Sequence, residues 1–160
     1  MIVNIGNIRL SFYVKMLEKR VGVCSVKDTK EDSHILLWDF DNERLPVITK
    51  ILFDLQLKYN LPSIYILASS ANSYHAYCFT ARLFREIIHI LSDTSCIDMM
   101  YLRLGMVRGY YTLRISKRKA DDFKLIKVLP STYCDEMSPD RVSINEYLTT
   151  NKGSVKDEIL

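Results

Sequence analysis

The sequence predicts a mixed α+β domain built around an antiparallel sheet, and three observations predict it. An apolar run from Ile35 to Trp38 closes on two alternating aspartates. Two later stretches repeat apolar residues at helical spacing, and two β-rich runs between them are separated by only three turn-forming residues. At 160 residues and 48% hydrophobic, the chain can bury one core and is short for two. Residues 1–150 are therefore read as a single domain with its core at 35–119, and residues 151–160 as a polar tail.

Taken in order, residues 35–41 form the first core strand. The stretch ERLPVITKILFDLQLKYN follows, with Ile48, Ile51, Leu52 and Leu55 on one helical face, Asn42 as N-cap, Pro46 near the start and Asn60 at the end. SIYILASS and SYHAYCF are two strands joined through Ser70, Ala71 and Asn72 as a hairpin, and Asn72 tolerates the left-handed backbone such a turn needs. TARLFREIIHILSD repeats Phe84, Ile87, Ile88 and Leu91 at helical spacing, with Thr80 as its cap. MMYLRLGMVRGYYTLRIS is expected to supply a last strand, or a pair broken near Gly105 or Gly109. The resulting order is βαββαβ, a ferredoxin-like or RRM-like core whose helices share one face of the sheet and leave the other face open. Ile8, Leu10, Phe12 and Val14 predict an added N-terminal strand, and residues 121–129 a C-terminal one.

The first strand poses the chemical question. Side chains two apart on a strand share a face, so Asp39 and Asp41 stand side by side, and like charges so placed call for a cation. Hard divalent ions such as Mg²⁺ or Mn²⁺ are suited to carboxylate oxygens. The plainer reading is a strand end with two solvated acids. Ser73 and His75, again two apart, fall on the neighbouring strand and raise the weight of a polar site. Residues 101–127 hold eight Lys or Arg against two Asp, a local balance of +6 in a chain of net charge +3. Such asymmetry suits phosphates, although a charge run is commonly a solvated loop.

With D-x-D at Asp39-Phe40-Asp41, S-x-H at Ser73-Tyr74-His75, a third acid at Asp98 and the basic stretch RGYYTLRISKRK following, residues 35–119 resemble the archaeo-eukaryotic primase superfamily, the primase-polymerases. Asp93 lies close to Asp98 and is a second candidate for the third acid. The resemblance implies a DNA primase or polymerase-type nucleotidyltransferase that joins nucleotides on a single-stranded template. It implies two Mg²⁺ or Mn²⁺ ions on Asp39, Asp41 and Asp98, and nucleotide binding by Ser73, His75, Arg114 and Lys117. Arg103, Arg108, Arg118 and Lys119 would meet nucleic acid, and Tyr74, Tyr110 or Tyr111 could stack on a base. Expected partners are single-stranded DNA and nucleoside triphosphates, with a replication helicase or a large subunit as recruiter. Two other readings stay open: a non-catalytic single-stranded nucleic-acid-binding module, and a small metal-dependent nuclease.

Other classes find little support. The sequence has no glycine-rich phosphate loop, no G-x-S-x-G and no H-E-x-x-H. Cys24, Cys78, Cys96 and Cys134 are scattered without metal spacing, which predicts reduced and individually buried thiols. No apolar run approaches a membrane span and the N-terminus lacks signal-peptide order, so an intracellular, soluble protein is expected.

Overall fold

The computed structural model describes residues 2–5, 8–11, 17–28, 32–70, 72–115, 124–136 and 144–150. The fold is α+β, with antiparallel sheets and three helices among these residues. Strands β1 (Ile2–Ile5) and β2 (Ile8–Ser11) pair with each other. Strand β3 (Leu17–Cys24) is followed by β4 (Val26–Asp28) and β5 (Ser33–Phe40). Helix α1 (Leu45–Tyr59) leads to β6 (Ile64–Ser70), β7 (Ser73–Leu83) and helix α2 (Phe84–Ser92). Helix α3 (Met99–Arg108), β8 (Thr112–Arg114), β9 (Lys124–Leu129) and β10 (Ile144–Thr150) complete the order.

The main sheet has five strands in the order β4-β5-β7-β6-β9, and a second has the order β10-β3-β8. Ser25 joins them. Its N–H donates to the Tyr111 carbonyl beside β8, and its own carbonyl accepts from Ile35 N–H in β5.

Register fixes which side chains share a face of the main sheet. Leu36 is opposite Cys78, which is opposite Ile64, which is opposite Leu129. Trp38 is opposite Ala76, which is opposite Ile66, so these residues form one apolar surface. Leu36, Trp38, Ile64, Ile66, Ala76 and Cys78 are all fully buried there. Helices α1 and α2 bury Ile48, Leu52 and Leu55, and Ile87, Ile90 and Leu91, in the same hydrophobic core as these residues. Gln56 of α1 donates to the carbonyls of Pro62 and Leu129, and Trp38 Nε1 donates to Thr94 just beyond α2. The opposite face carries Leu37, Asp39, His75, Tyr77, Leu67 and Tyr65.

The turn chemistry is as expected at two asparagines. Asn60 ends α1 with φ 51°, and Asn72 sits in the β6–β7 turn with φ 57°, where Ser70 pairs with Ser73. Asparagine adopts this region at low cost because its short amide can bond locally.

Several expectations need correction. Residues 99–108 form a helix, not a strand, and the short strand after them, β8, pairs with β3 instead of entering the main sheet. The capping explains it. Asp98 Oδ1 accepts the Met100 N–H at 2.8 Å, closing the first turn, and Gly109, with φ 78°, donates its N–H to the Gly105 carbonyl at the last. Met, Leu and Arg between these caps are good helix formers. Asn42 is not the N-cap of α1. It has φ 57°, and Arg44 takes the cap position with no side-chain bond, while Pro46 fills the first turn. Thr80 does not cap α2 either, because β7 runs on to Leu83, whose N–H bonds Glu86 instead. Of the four cysteines, all free, Cys24 and Cys78 are buried, but Cys96 and Cys134 are exposed because they lie in connections beyond α2 and β9. Phe12 and Val14 of the expected N-terminal strand, residues 121–123 of the C-terminal one and the tail 151–160 lie outside the described residues.

Candidate active site

Asp39 is the penultimate residue of β5, where the strand leaves the core, and its side chain is 25% exposed. Cross-strand register puts His75 directly opposite, with His75 Nε2 3.5 Å from Asp39 Oδ1. Ser73 shares that face of β7 with His75 and is half-buried at the hairpin mouth. Asp41 lies just past the strand and is exposed.

Of the two later aspartates, Asp98 and not Asp93 lies beside Asp39. Asp98 N–H donates to the Asp39 carbonyl at 3.1 Å, so its backbone is tied to that of Asp39. Asp93 is elsewhere, bound to Lys58 and Tyr59 at the end of α1. Arg114, on β8, approaches the same point from the second sheet and acts electrostatically on both Asp39 and His75.

Burial pushes the Asp39 carboxyl up from 3.8 to about 7, and the negative charges of Asp41 and Asp98 push in the same direction against Arg114. His75 is driven the other way, from 6.5 to about 3, by burial and then by the Arg114 charge. Burial thus favours the neutral imidazole, and its 3.5 Å approach to Asp39 is a close contact and not an ion pair. Tyr77 OH lies 3.4 Å from His75 Nδ1, and burial, with a contribution from Asp39, keeps the phenol protonated. Tyr101 donates to the Leu37 carbonyl at 3.0 Å and packs its ring near Asp39, whose charge adds to burial in raising the phenol.

The donor set fits a hard divalent cation in kind: three carboxylates whose repulsion a cation would relieve. They are near enough to repel, yet among the described residues no group of three or more His, Cys, Asp or Glu is drawn together as a formed metal site.

Arg103 and Arg108 are exposed on α3, the helix that Asp98 caps, and not on a strand. Lys117, Arg118 and Lys119 lie outside the described residues. Of the three tyrosines considered for stacking, Tyr111 is buried against Phe84 and Tyr101, Tyr74 is half-buried and Tyr110 is exposed. Sequence reasoning missed Tyr77 and Tyr101. The signal for Tyr77 was present, since it follows Ser73 and His75 at the next same-face position of β7. Tyr101 could not be found without knowing that Asp98 starts a helix.

A second cluster has triad chemistry by composition. Ser25 Oγ lies 3.1 Å from His34 Nδ1, and His34 Nε2 lies 3.3 Å from Asp32 Oδ1. Ser25 is fully buried and its oxygen already accepts the Tyr111 N–H, so no substrate carbonyl can reach it. It serves as the strut between the two sheets. Among the described residues no helix is long and apolar enough to cross a membrane.

Compared with protein-family models, curated proteins and solved structures, the chain matches none of them.

Proposed function

We propose that this chain is a template-directed nucleotidyltransferase of primase-polymerase type, acting on nucleoside triphosphates along a single-stranded DNA template. The observation that carries the proposal is the convergence on Asp39. Two further carboxylates, a neutral imidazole and a guanidinium meet there from β5, β7, the start of α3 and β8. A structural strand end has no use for two acids set so close to a third, Asp39, that they raise its proton affinity. Phosphoryl chemistry does, because the cations that offset this repulsion also bind phosphate. The order β5-β7-β6 supports a ferredoxin-like relationship for the first three core strands, with β4 in the place beside β5 where a fourth would be expected.

In this reading Asp39 and Asp41, with Asp98, hold Mg²⁺ or Mn²⁺. Ions held by these carboxylates would lower the pKa of an attacking 3′-hydroxyl and offset charge developing at phosphorus. His75 and Ser73 bind the triphosphate from β7, and Arg114 faces its negative charge from β8, with Lys117 a further candidate. Arg103 and Arg108 on α3, together with Arg118 and Lys119, receive the template backbone.

Primer extension and de novo synthesis with labelled nucleotides, under Mg²⁺ and Mn²⁺, test the proposal, with nuclease activity measured on the same single strands. Incorporation by the native chain that is lost in Asp39→Asn supports it. Strand cleavage without incorporation would replace it with a nuclease.

A binding module without chemistry is the second reading, favoured by α3 alone. Met100, Leu104 and Val107 make an exposed stripe along this helix, Val107 being 86% exposed, and Arg103 and Arg108 flank it. Tight single-strand binding with neither incorporation nor cleavage would select it.

A further inference from the structure

We infer that the sheet face beside His75 continues into an apolar shelf, formed by Leu67, Leu125, Tyr65 and Val128, that receives the nucleobase of the bound nucleoside triphosphate. The inference rests on the proposed site for the position of the phosphates and adds the place where the rest of the nucleotide lies.

Register builds the shelf. Across the main sheet Asp39 is opposite His75, His75 is opposite Leu67, and Leu67 is opposite Leu125. In the next row of the same face Tyr77 is opposite Tyr65, and Tyr65 is opposite Val128. With neighbouring strands about 4.8 Å apart, Leu67 stands one strand from His75 and Leu125 two, so the apolar surface extends roughly 10 Å from the histidine. Charge is absent from it. Strand β6, IYILASS, has no charged residue, and the two lysines of β9, Lys124 and Lys127, are opposite Ala68 and Ile66 and so belong to the other face. Leu67 and Tyr65 are half-buried, while Leu125 and Val128 are 52% and 39% exposed. Apolar surface that stands in water beside a few convergent polar groups has the make-up of a small-molecule site.

The surroundings of Asp39 set the direction. Tyr101 OH and Asp98 N–H take the Leu37 and Asp39 carbonyls, so the start of α3 closes β5 on the side away from β7. The remaining side leads over β7 and β6 to β9, the last strand of the sheet. A ligand with phosphates at Asp39 and His75 therefore extends over Leu67 towards that edge. A nucleotide carries its phosphates at one end and a flat base with apolar faces at the other, separated by one sugar. Acids, imidazole and shelf follow one another in the same order. A protein partner does not fit this surface, since four side chains fall far short of the roughly 20–30 residues that a stable interface uses on each side.

Two probes with Mg²⁺ separate base from phosphate: deoxyadenosine triphosphate, and inorganic tripolyphosphate, which supplies the phosphates alone. Carbon-13 methyl NMR of the full chain follows Leu67, Leu125 and Val128, assigned through single substitutions to Ile. The ring current of the purine should move these methyl groups, and tripolyphosphate should leave them in place. By calorimetry the nucleotide should bind roughly fivefold or more tighter than tripolyphosphate, the lower end of what one stacked base contributes. Leu125→Asn combined with Val128→Asn, both at exposed positions, should abolish that difference and keep tripolyphosphate affinity unchanged. Nucleotide binding that leaves the three residues unmoved, or that has no advantage over tripolyphosphate, overturns the shelf while the phosphate site stands. Binding of neither probe overturns the proposed site and the shelf with it. Methyl shifts produced by an oligothymidylate and not by the nucleotide also overturn the inference, because the occupant is then the single strand.

Discussion

The Asp39 carboxyl carries an electrostatic cost that is measurable as stability. Its folded pKa, about 7, lies above the ordinary 3.8, so the fold favours the protonated form. The associated stability is present below the ordinary value and is lost as pH rises through about 7. Asp39→Asn removes the loss. Relative to native protein, the variant should gain on the order of a few kcal/mol between pH 4 and pH 8 in metal-free urea titrations, while nucleotide incorporation disappears. His75 works with the opposite sign. Its folded value of about 3 lies below 6.5, so its contribution is present above pH 6.5 and is lost as pH falls towards 3. His75→Gln should flatten acid unfolding across that window. At this scale the sequence was informative where alternation applies. The two-residue periodicity of a strand placed Ser73 and His75 together on β7, whereas Asp41 falls just past the end of β5, outside the alternation expected to align it with Asp39. Periodicity could not tell that Asp98 rather than Asp93 lies beside Asp39, because that depends on a main-chain bond between residues far apart in sequence.

Helix α3 is the element on which the site depends most, and it is the one that sequence periodicity misjudged. Met99, Met100, Leu104 and Val107 are exposed while Leu102 and Gly105 are buried, so apolar residues surround the helix and leave no amphipathic signature. Only the caps, Asp98 and Gly109, declare it. Gly105 explains its packing. A Cβ built there would collide with the Tyr111 ring, which closes over the helix and donates to the Leu102 carbonyl at 3.3 Å. Gly105→Ala should therefore displace Tyr111 and cost roughly 1–3 kcal/mol, the usual penalty for overpacking, with a loss of activity because Asp98 moves with the helix. Gly109→Ala meets no neighbour and strains only a positive φ. It should cost about 1 kcal/mol and leave Tyr111 in place. Urea unfolding of both variants, with Tyr111 followed by aromatic NMR, distinguishes collision from backbone strain.

Across the whole molecule, the site exists only where two sheets meet. Arg114 acts electrostatically on Asp39 and His75 from β8, which pairs with β3, and Ser25 joins that sheet to β5. No local pattern in the sequence encodes such a pairing, since Cys24 and its partner Thr112 are brought together by the intervening fold. The charge distribution was legible nonetheless, and it leads to a prediction at the same scale. Reversing Arg114 and Lys117 together to Glu should weaken single-stranded DNA binding for every sequence, because phosphate contacts carry no base information. The logarithmic salt slope should fall by roughly 0.7 for each phosphate that the variant no longer neutralises. His75→Ala should keep template affinity and lose nucleotide incorporation. Fluorescence anisotropy across a salt series, beside incorporation assays, checks both.

The bond from Asp98 N–H to the Asp39 carbonyl gives this architecture a built-in clock. That amide proton can exchange with deuterium only when the end of β5 and the start of α3 separate. Its exchange rate is therefore a count of how often the acidic cluster comes apart, read from one proton and with no ligand present. Slow exchange at Asp98, beside faster exchange along the exposed outer turns of α3, would mean that the helix can fray while the two acids stay in register.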